Sequence, residues 1–418
     1  MTRLTPEEQA IAGGARGAGA AMAMRIVADS ARLMGAPRLI PVASAHIDGA
    51  LYHGDSGTLF AEKLVEGGAR VAVRATLNVG SLSPAGCAAI RLPAHERGMA
   101  RRMMTAYEAM GCEPSWTCAP YQAGHRPDAG TDVAWGESNA VVFCNSVLGA
   151  RTNRYGDFLD IACAIAGCAP DYGLHRPENR LATLVIDVGG LSRALRASDV
   201  FYPVLGTFLG RTAGSAVAVI DGLQGCTTED RLKALGAAAA SAGGVGLFHI
   251  AGVTPEAPDL ATALGHQPAQ ETIRLTPEAV HATLARLSTA GDTQRIDAVA
   301  IGSPHLSLAE IEEVRDRLAG RRLAVPLYAN TGRHVVGPLA DGRRAELESA
   351  GVVFVVDTCV VVTPILPEIQ GAVLMTNSGK FAHYAPGNTG YAVTYGSLAE
   401  CVESAVAGRL VREPRAWS

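Results

Sequence analysis

The chain has 418 residues, of which 48% are apolar, 18% charged and only 5% aromatic, and its net charge is −4. This length exceeds a single ordinary core, so two or three domains are expected, with the composition of a well-packed α/β enzyme. The mixed charges and scarce aromatic residues argue against a nucleic-acid or anionic-membrane partner.

Helix and strand signals alternate along the first half of the chain. Thr5-Pro6-Glu7-Glu8 is typical of a helix start, because it combines a capping side chain, a first-turn proline and two acids. The helix should continue, with glycine interruptions, to about Gly35. The next expected elements are strands at 38–44 and 70–75 that end in polar residues, a helix at 95–110 and a short strand at 115–121.

The stretch from Asn145 to Arg154 concentrates hydrogen-bond donors, with two arginines, two asparagines and two hydroxyl side chains. The apolar run at 140–143 indicates a buried strand that leads into this loop. Such a loop is typical of a site that holds an anion, and a guanidinium suits a carboxylate. The alternative is a solvated loop whose arginines pair with nearby carboxylates.

From about residue 228 the pattern becomes regular, with helices separating apolar strands. Alternating helices and apolar strands predict a parallel sheet, and ligands gather at the carboxyl ends of such strands. Ordinary turn residues after strands are the alternative explanation. The polar groups that follow the predicted strands are Ser303 and His305 after 296–301, Asn330 and Thr331 after 324–328, Asp357 and Cys359 after 352–356, and 377–380 after 372–375.

Nine cysteines follow no regular spacing and include no C-x-x-C pair, which argues against a disulfide framework, a zinc knuckle and a redox pair. Cysteines distant in sequence can still hold an iron–sulfur cluster. Cys118 and Cys359 lie in turn contexts that suit such a ligand, whereas the other seven lie in apolar or helical settings that favour inert thiols. With no export signal and no apolar run of 18 residues, a cytoplasmic location is expected.

No Walker pattern, complete dinucleotide fingerprint or G-x-S-x-G elbow occurs, so nucleotide binding and serine hydrolysis are disfavoured. The polar residues after the strands, together with the candidate cluster cysteines, suit the binding of a small carboxylate. They would also suit the removal of a hydroxyl group polarised by a Lewis-acidic iron, while a base takes the proton from the neighbouring carbon.

Taken together and in order, short segments from end to end resemble the aconitase X family. No single segment is decisive, but their joint order is specific. The segments are 44–49, 52–55, 76–80, 117–121, 137–140, 145–154, 248–249 with 254–257, 304–307, 357–359 and 377–380.

The resemblance implies an aconitase-like, multi-domain α/β fold with parallel or mixed sheets flanked by helices. The expected division is 1–205 plus 365–418 for an N-terminal domain and 206–364 for a second domain. The implied activity is that of a hydro-lyase acting on a small hydroxy acid, most simply cis-3-hydroxy-L-proline, which would give Δ1-pyrroline-2-carboxylate. A phosphomevalonate dehydratase or another aconitase-type hydro-lyase, and a non-catalytic metabolite-binding subunit, are the alternatives.

The implied site draws on both halves of the chain, with Arg151 and Arg154 clamping the substrate carboxylate. The candidate catalytic groups are His46, Asp48, Ser303, His305 and Lys380. The candidate substrate-binding groups are Asn78, Asn145, Ser146, Arg151, Thr152, Arg154 and Ser378.

The resemblance also implies an iron–sulfur cluster, with Cys118 and Cys359 matching the family's cysteine motifs. Some relatives have Cys-Pro-His where this chain has Ser303-Pro304-His305, so a third cysteine would come from elsewhere, and Cys144 is the nearest candidate. The cluster type is open, with [2Fe–2S] among the options. A separate small swivel-domain subunit is the implied partner, and the chain alone is expected to be inactive.

Overall fold

The computed structural model describes residues 2–339 and 342–413. The chain forms two compact units, the first made of Met1–Leu82 and Leu92–Leu181, and the second of Ser83–Arg91 and the chain from Ala182 onward. This division differs from the expected one, because the strands after residue 365 hydrogen-bond within the second unit rather than returning to the first. Residues 414–418 of the expected 365–418 segment lie outside the described residues.

The first unit contains short strands and longer helices. The elements are α1 (Pro6–Ala12), α2 (Ala18–Leu33), β1 (Leu39–Pro41), β2 (Ser44–Ile47), α3 (Asp55–Glu66), β3 (Arg74–Leu77), α4 (Ala94–Ala109), β4 (Ala134–Trp135), α5 (Ser138–Phe143), α6 (Leu159–Ala166) and β5 (Cys168–Pro170).

The second unit contains the elements β6 (Leu184–Asp187), α7 (Arg193–Arg196), α8 (Phe201–Ala213), β7 (Ala218–Asp221), α9 (Glu229–Ala242), β8 (Phe248–Ile250), α10 (Leu260–Ala263), β9 (Glu271–Arg274), α11 (Pro277–Arg286), β10 (Ala298–Ile301), α12 (Leu308–Leu318), β11 (Leu327–Thr331), α13 (Arg333–Val336), α14 (Arg343–Ala350), β12 (Val352–Val356), β13 (Val373–Thr376), α15 (Gly379–Thr389), β14 (Ala392–Tyr395) and α16 (Leu398–Ala407).

The first unit is centred on a parallel sheet in the order β3-β2-β4, and β1 pairs separately with β5. The single strand predicted at 38–44 is therefore two strands in different sheets. Pro41 ends β1, because proline has no N–H to donate to a sheet ladder, and the chain enters the other sheet at Ser44.

The second unit contains two parallel sheets, in the orders β8-β7-β6-β9 and β12-β11-β10-β13-β14. Apolar side chains of the larger sheet, including Val299 and Leu327, pack with Val314 of α12 and Val402 of α16. The predicted α/β architecture, with parallel sheets flanked by helices, is confirmed.

Two predicted strands are wrong. The run at 140–143 belongs to α5, which begins where the Glu137 carboxylate accepts the N–H of Ala140 at 2.6 Å. A short apolar run buried on all sides does not distinguish a helix from a strand. Residues 115–121 form a turn that leads into a 3₁₀ helix at Pro120–Ala123. Within 2–339 and 342–413, no helix is both long and apolar enough to cross a membrane.

Candidate functional site

In the first unit, the parallel pairing of β2 and β3 places His46, Asp48 and Asn78 together at the carboxyl ends of the two strands. His46 lies opposite Thr76 in the register, and the Asn78 amide donates to the Asp48 carboxylate. The Asn78 Oδ1 atom is buried and has no hydrogen-bond partner among the described residues. An acceptor of this kind can take a hydrogen bond from a ligand.

His46 is fully buried, and its Nδ1 atom lies 2.8 Å from the Thr76 hydroxyl. Burial lowers the pKa of His46 well below 6.5, and the nearby His125 lowers it further. The backbone carbonyls of Thr117 and Thr76 partly oppose this decrease in pKa. The imidazole is therefore neutral at physiological pH.

Asp160 holds the turn after β2 in place, although nothing in the sequence pattern singles it out. Its carboxylate accepts the N–H groups of Asp48 at 2.7 Å and Gly49 at 3.1 Å, and burial raises its pKa to about 7 against these hydrogen bonds. A Cβ atom at Gly136 would lie 2.8 Å from the Asp160 carboxylate, so a glycine is required there. Asp160 thus positions the backbone that carries Asp48.

The donor-rich segment begins with a turn of π-helix at Cys144–Leu148 that ends at a left-handed Gly149. Asn145 and Thr152 bind each other across the segment, through Asn145 Nδ2 to the Thr152 carbonyl at 2.9 Å and the Thr152 N–H to Asn145 Oδ1 at 3.0 Å. Both side chains are buried. These two hydrogen bonds hold the ends of the segment together. The role of Asn145 and Thr152 in substrate binding stays a prediction.

Arg180 is a buried cation beneath the same segment, and sequence reasoning missed it because no local motif marks it. Its guanidinium donates to Asn145 Oδ1 at 3.0 Å and to the carbonyls of Asn145 and Ala150, both at 3.2 Å. Backbone carbonyls thus satisfy much of its hydrogen-bonding capacity. The guanidinium adds positive charge under the predicted anion loop.

Arg151 is half-buried, Arg154 is exposed and Ser146 is buried. The backbone of Arg151 is fixed by hydrogen bonds with Thr131 at 2.8 Å and Val133 at 2.9 Å. Its Nε atom is buried without a hydrogen-bond partner among the described residues. The segment therefore holds one arginine in place while leaving a donor of that side chain open.

In the second unit, β10 ends at Ile301 and is followed by Gly302, Ser303 and a cis peptide bond to Pro304. Gly302 has φ +91°, and a Cβ atom there would lie 2.2 Å from the Asn330 carbonyl oxygen, so only glycine fits. His305 donates through Nε2 to the Thr358 carbonyl at 3.1 Å, which leaves Nδ1 as the unprotonated nitrogen. Burial lowers the pKa of His305 to about 3.

Neighbouring strand ends hold this tip in place. Asn330 donates to the Ile301 carbonyl at 2.7 Å and accepts the Val360 N–H at 3.0 Å, so it joins the end of β10 to the loop containing Cys359. Ser378 caps α15 and donates to the Ser303 carbonyl, while Lys380 lies half-buried in the first turn of α15. The structure therefore brings the Ser303, Cys359 and Ser378 segments together, as the parallel sheet predicts.

Asp357, directly after β12, has φ +64°, a strained conformation for a residue other than glycine. Its buried carboxylate pairs with Arg333 at 2.8 Å. Burial raises the pKa of Asp357, and Arg333 opposes that increase. This ion pair stabilises the strained turn that leads into Cys359.

The three predicted cluster cysteines differ in their surroundings. Cys118 is buried in the first unit and Cys359 in the second. Cys144 is fully buried in an apolar cluster with Phe143 and Trp135, and burial raises the pKa of its thiol, which disfavours the thiolate needed for metal binding. No three His, Cys, Asp or Glu side chains in the described parts of the chain form a metal-binding group. The surroundings of Cys144 therefore do not suit the role of third cluster ligand.

Models of aconitase X match almost the whole chain, with the first domain at residues 1–178, the second at 182–285 and the third at 296–407. The boundary at 178–182 coincides with the start of the main part of the second unit. The end of the first domain is thus the same in the family match and in the structure.

Curated relatives include cis-3-hydroxy-L-proline dehydratases from Pseudomonas aeruginosa and Hypocrea jecorina. The first is 44% identical over 99% of this chain and 72% of the relative, and the second is 40% identical over 97% and 69%. A phosphomevalonate dehydratase large subunit from Thermococcus kodakarensis is 38% identical over 91% of this chain and 94% of the relative.

Among solved structures, the holo form of Thermococcus kodakaraensis aconitase X superimposes with a TM-score of 0.86 and 34% identity, covering 97% of this chain and all of that one. The family resemblance expected from the sequence is confirmed. The chain belongs to the aconitase X family.

Proposed function

We propose that the chain is the catalytic part of a hydro-lyase that converts cis-3-hydroxy-L-proline to Δ1-pyrroline-2-carboxylate. The observation that carries this proposal is the 44% identity, over 99% of the chain, to a protein named for that dehydration. The phosphomevalonate dehydratase large subunits are more distant, at 38% identity or less.

The reaction itself sets out what the site must do. A base removes the proton at C2 while the hydroxyl at C3 leaves as water after taking up a proton. The resulting enamine then tautomerises to the imine of the product. The substrate therefore needs a cation for its carboxylate, a group that accepts a proton and a group that donates to the leaving oxygen.

Arg151 is the proposed carboxylate ligand in the first unit. Its backbone is fixed and its buried Nε atom lacks a protein partner among the described residues, so a carboxylate oxygen would satisfy that donor. Asn78 and Ser146 are proposed to contact the polar groups of the ring. Arg154 is more exposed and is proposed to act as a second cation at the edge of the same segment.

In the second unit, His305 is proposed to be the group that accepts the proton. Its Nε2–H already donates to the Thr358 carbonyl, and its lowered pKa keeps Nδ1 unprotonated. Ser303 and Lys380, the other candidate catalytic groups of this unit, are proposed to act beside His305 in the reaction. Ser378 is proposed to contribute indirectly, since its hydroxyl donates to the Ser303 carbonyl.

We retain the iron–sulfur cluster as part of the proposal, with Cys118 and Cys359 as its ligands from this chain. Iron and sulfide content after anaerobic purification tests this. Cys118→Ser and Cys359→Ser should each lower the iron content, whereas Cys144→Ser should leave it unchanged because that thiol is fully buried among apolar side chains. Equal iron content in all three variants would contradict the assignment.

A small partner subunit is also proposed, because several relatives are named as large subunits. The chain alone should be inactive and should gain activity when mixed with that partner. Full turnover by the isolated chain would sink this part of the proposal.

The function is tested by assaying the assembled enzyme with cis-3-hydroxy-L-proline and, separately, with mevalonate 5-phosphate. Formation of Δ1-pyrroline-2-carboxylate only from the first substrate is the expected result. Turnover of the second substrate alone would identify the chain as a phosphomevalonate dehydratase instead. Binding of either compound without turnover, in an iron-loaded complex, would favour a metabolite-binding subunit.

A further inference from the structure

Four polar side chains of the first unit form a single buried hydrogen-bonded chain that ends at His46. The Ser44 hydroxyl lies 2.8 Å from His125 Nε2, and His125 Nδ1 lies 2.8 Å from the Thr76 hydroxyl. The same hydroxyl lies 2.8 Å from His46 Nδ1. The most exposed of the four, Ser44, has only 6% of its surface accessible, so bulk water does not compete for these contacts.

Trp135 packs against both imidazoles. Its ring centroid lies 5.6 Å from that of His46 and 4.9 Å from that of His125, with both rings tilted. Thr76 and Trp135 flank His46 in the sheet register, since β3 and β4 lie on either side of β2. The sheet therefore fixes the positions of His46 and its neighbours before any ligand binds.

Both imidazoles are neutral. Burial lowers the pKa of His125 to about 4, and Arg74 lowers it further while Glu113 opposes the change. Burial, with the neighbouring His125, also lowers the pKa of His46, well below 6.5. Each ring therefore carries one N–H, and the position of each proton depends on the hydrogen bonds along the chain.

The Thr76 hydroxyl has only one proton for its two imidazole neighbours. If it donates to His46 Nδ1, then His125 Nδ1 must carry a proton and donate to the Thr76 oxygen. His125 Nε2 is then an acceptor, and the Ser44 hydroxyl donates to it. In this direction both hydroxyl groups donate to other members of the hydrogen-bonded series. The one donor left over in the series is the Nε2–H of His46.

In the reverse direction, the Ser44 hydroxyl would have no acceptor within the chain, and His46 would present an unprotonated Nε2. Nε2 of His46 is buried without a hydrogen-bond partner among the described residues. The Thr117 and Thr76 carbonyls beside the ring stabilise a proton on it. The Ser44 hydroxyl and the carbonyls beside the His46 ring favour the first direction, because a buried hydroxyl without an acceptor costs free energy and a carbonyl can only accept from a protonated nitrogen.

We propose that Ser44, His125 and Thr76 hold His46 as the neutral Nε2–H tautomer, so that His46 donates a hydrogen bond to a substrate oxygen and does not act as the base. His125 and Thr76 are then positioning residues. The role in catalysis rests on the proposed dehydration. The tautomer assignment rests on the hydrogen bonds of the folded protein and not on the proposed reaction.

Nitrogen-15 NMR of histidine-labelled protein tests the assignment without substrate, with His46→Gln and His125→Gln used to identify the signals. We expect His46 to be protonated at Nε2 and His125 at Nδ1, which are opposite tautomers. Protonation of His46 at Nδ1, or the same tautomer in both rings, would overturn the proposal. Failure of the wild-type enzyme to use cis-3-hydroxy-L-proline would instead overturn the proposed function and leave this assignment intact.

Thr76→Val and Thr76→Ser form a matched pair for the kinetic test. Valine keeps the shape but removes the hydroxyl, so kcat should fall about 10- to 100-fold with little change in KM, the equivalent of one lost hydrogen bond in the transition state. Serine keeps the hydroxyl and should restore most of kcat. Wild-type kcat in a folded Thr76→Val enzyme, or equal losses in both variants, would contradict the positioning role. If the valine variant does not fold, the tautomers of the wild type and of Thr76→Ser still decide the matter.

Discussion

In the second unit the buried ammonium of Lys233 lies between the carboxylates of Asp230 and Glu310, whereas in the first unit the buried groups around His46 are neutral. Lys233 is 2% exposed, with Nζ 2.8 Å from Asp230 and 2.5 Å from Glu310. It also donates to the His305 carbonyl at 3.3 Å. Each unit thus has buried groups in contact with a candidate site histidine. Those beside His305 in the second unit are charged, whereas those beside His46 in the first unit form a chain of neutral hydrogen bonds.

The electrostatic consequences of the two arrangements are opposite. Burial alone would lower the pKa of Lys233, but Glu310 and Asp230 together raise it, so the ammonium stays charged. Burial raises the pKa of Glu310 and Lys233 opposes it. A buried ion cluster is costly to break, because removing one partner leaves the others uncompensated. Breaking a neutral hydrogen-bonded chain costs only one hydrogen bond. The contribution of such a chain lies in fixing which atoms carry the protons.

A second contrast concerns the cations. The ammonium of Lys233 is enclosed by protein acceptors, which suits a structural role. The guanidinium of Arg151 retains a buried Nε donor without a partner among the described residues, which suits a ligand. We therefore expect substitutions of the two cations to affect different measurements, with stability changing for Lys233 and activity for Arg151.

The largest expected effect is that of Lys233→Met. Methionine fills much of the same space but leaves the partly buried carboxylates of Asp230 and Glu310 without their counter-ion. The free energy of unfolding should therefore fall by about 3 kcal/mol, the lower end of the range for a buried pair. Denaturant unfolding measures this. Lys63→Met is the matched control, since Lys63 pairs with Glu66 at the surface and should cost less than about 1 kcal/mol. Equal effects of the two substitutions would remove the contrast between the units.

Arg151→Lys comes next. Lysine keeps the charge but cannot reproduce the planar fork of donors, so KM for the hydroxy acid should rise about 10- to 100-fold. Steady-state kinetics and thermal unfolding on the same samples should show a loss of affinity without a loss of stability. Arg102→Lys, at a surface ion pair with Glu62, is the control for arginine replacement. If affinity and turnover both survive Arg151→Lys, the clamp is misplaced.

Asp160, in the first unit, should make the free energy of unfolding depend on pH. Its pKa of about 7 lies above the ordinary value of 3.8, so the folded state binds more protons between about pH 4 and 7. The free energy of unfolding should therefore fall as pH rises through that window, by at most about 1.4 kcal/mol per pH unit from this group. Asp160→Asn should remove this slope, as measured by denaturant unfolding at several pH values. If the stabilities of the wild type and of Asp160→Asn vary in parallel with pH, the raised pKa does not belong to Asp160.

Thr76→Val should lower the stability of the protein only slightly. It removes one hydroxyl from a neutral chain, so the free energy of unfolding should fall by only about 1 kcal/mol. Thermal unfolding of Thr76→Val and Thr76→Ser measures the difference. A loss as large as that of Lys233→Met would mean that the neutral chain is a structural network like the ionic one.

Much of the architecture could be predicted from local pattern. The capping residue Thr5 and the apolar runs before Ser303 and Asp357 indicate a helix start and parallel strand ends that the structure confirms. The run at 140–143 could not be assigned correctly, because complete burial removes the alternation that distinguishes strands from helices. The domain division also depended on strand pairing between residues far apart in sequence.

The amino-acid sequence by itself determined the alternation of helices and strands, the family, and the candidate residues at the strand ends, because each of these depends on local spacing. Only the tertiary structure decided which groups support those residues. His125, Asp160, Arg180 and Lys233 carry no local signal, and each acquires its role from partners that are distant in the chain, brought within hydrogen-bond distance by packing. Burial then sets their charge, since the cost of desolvation depends on the folded surroundings and not on the residue type alone.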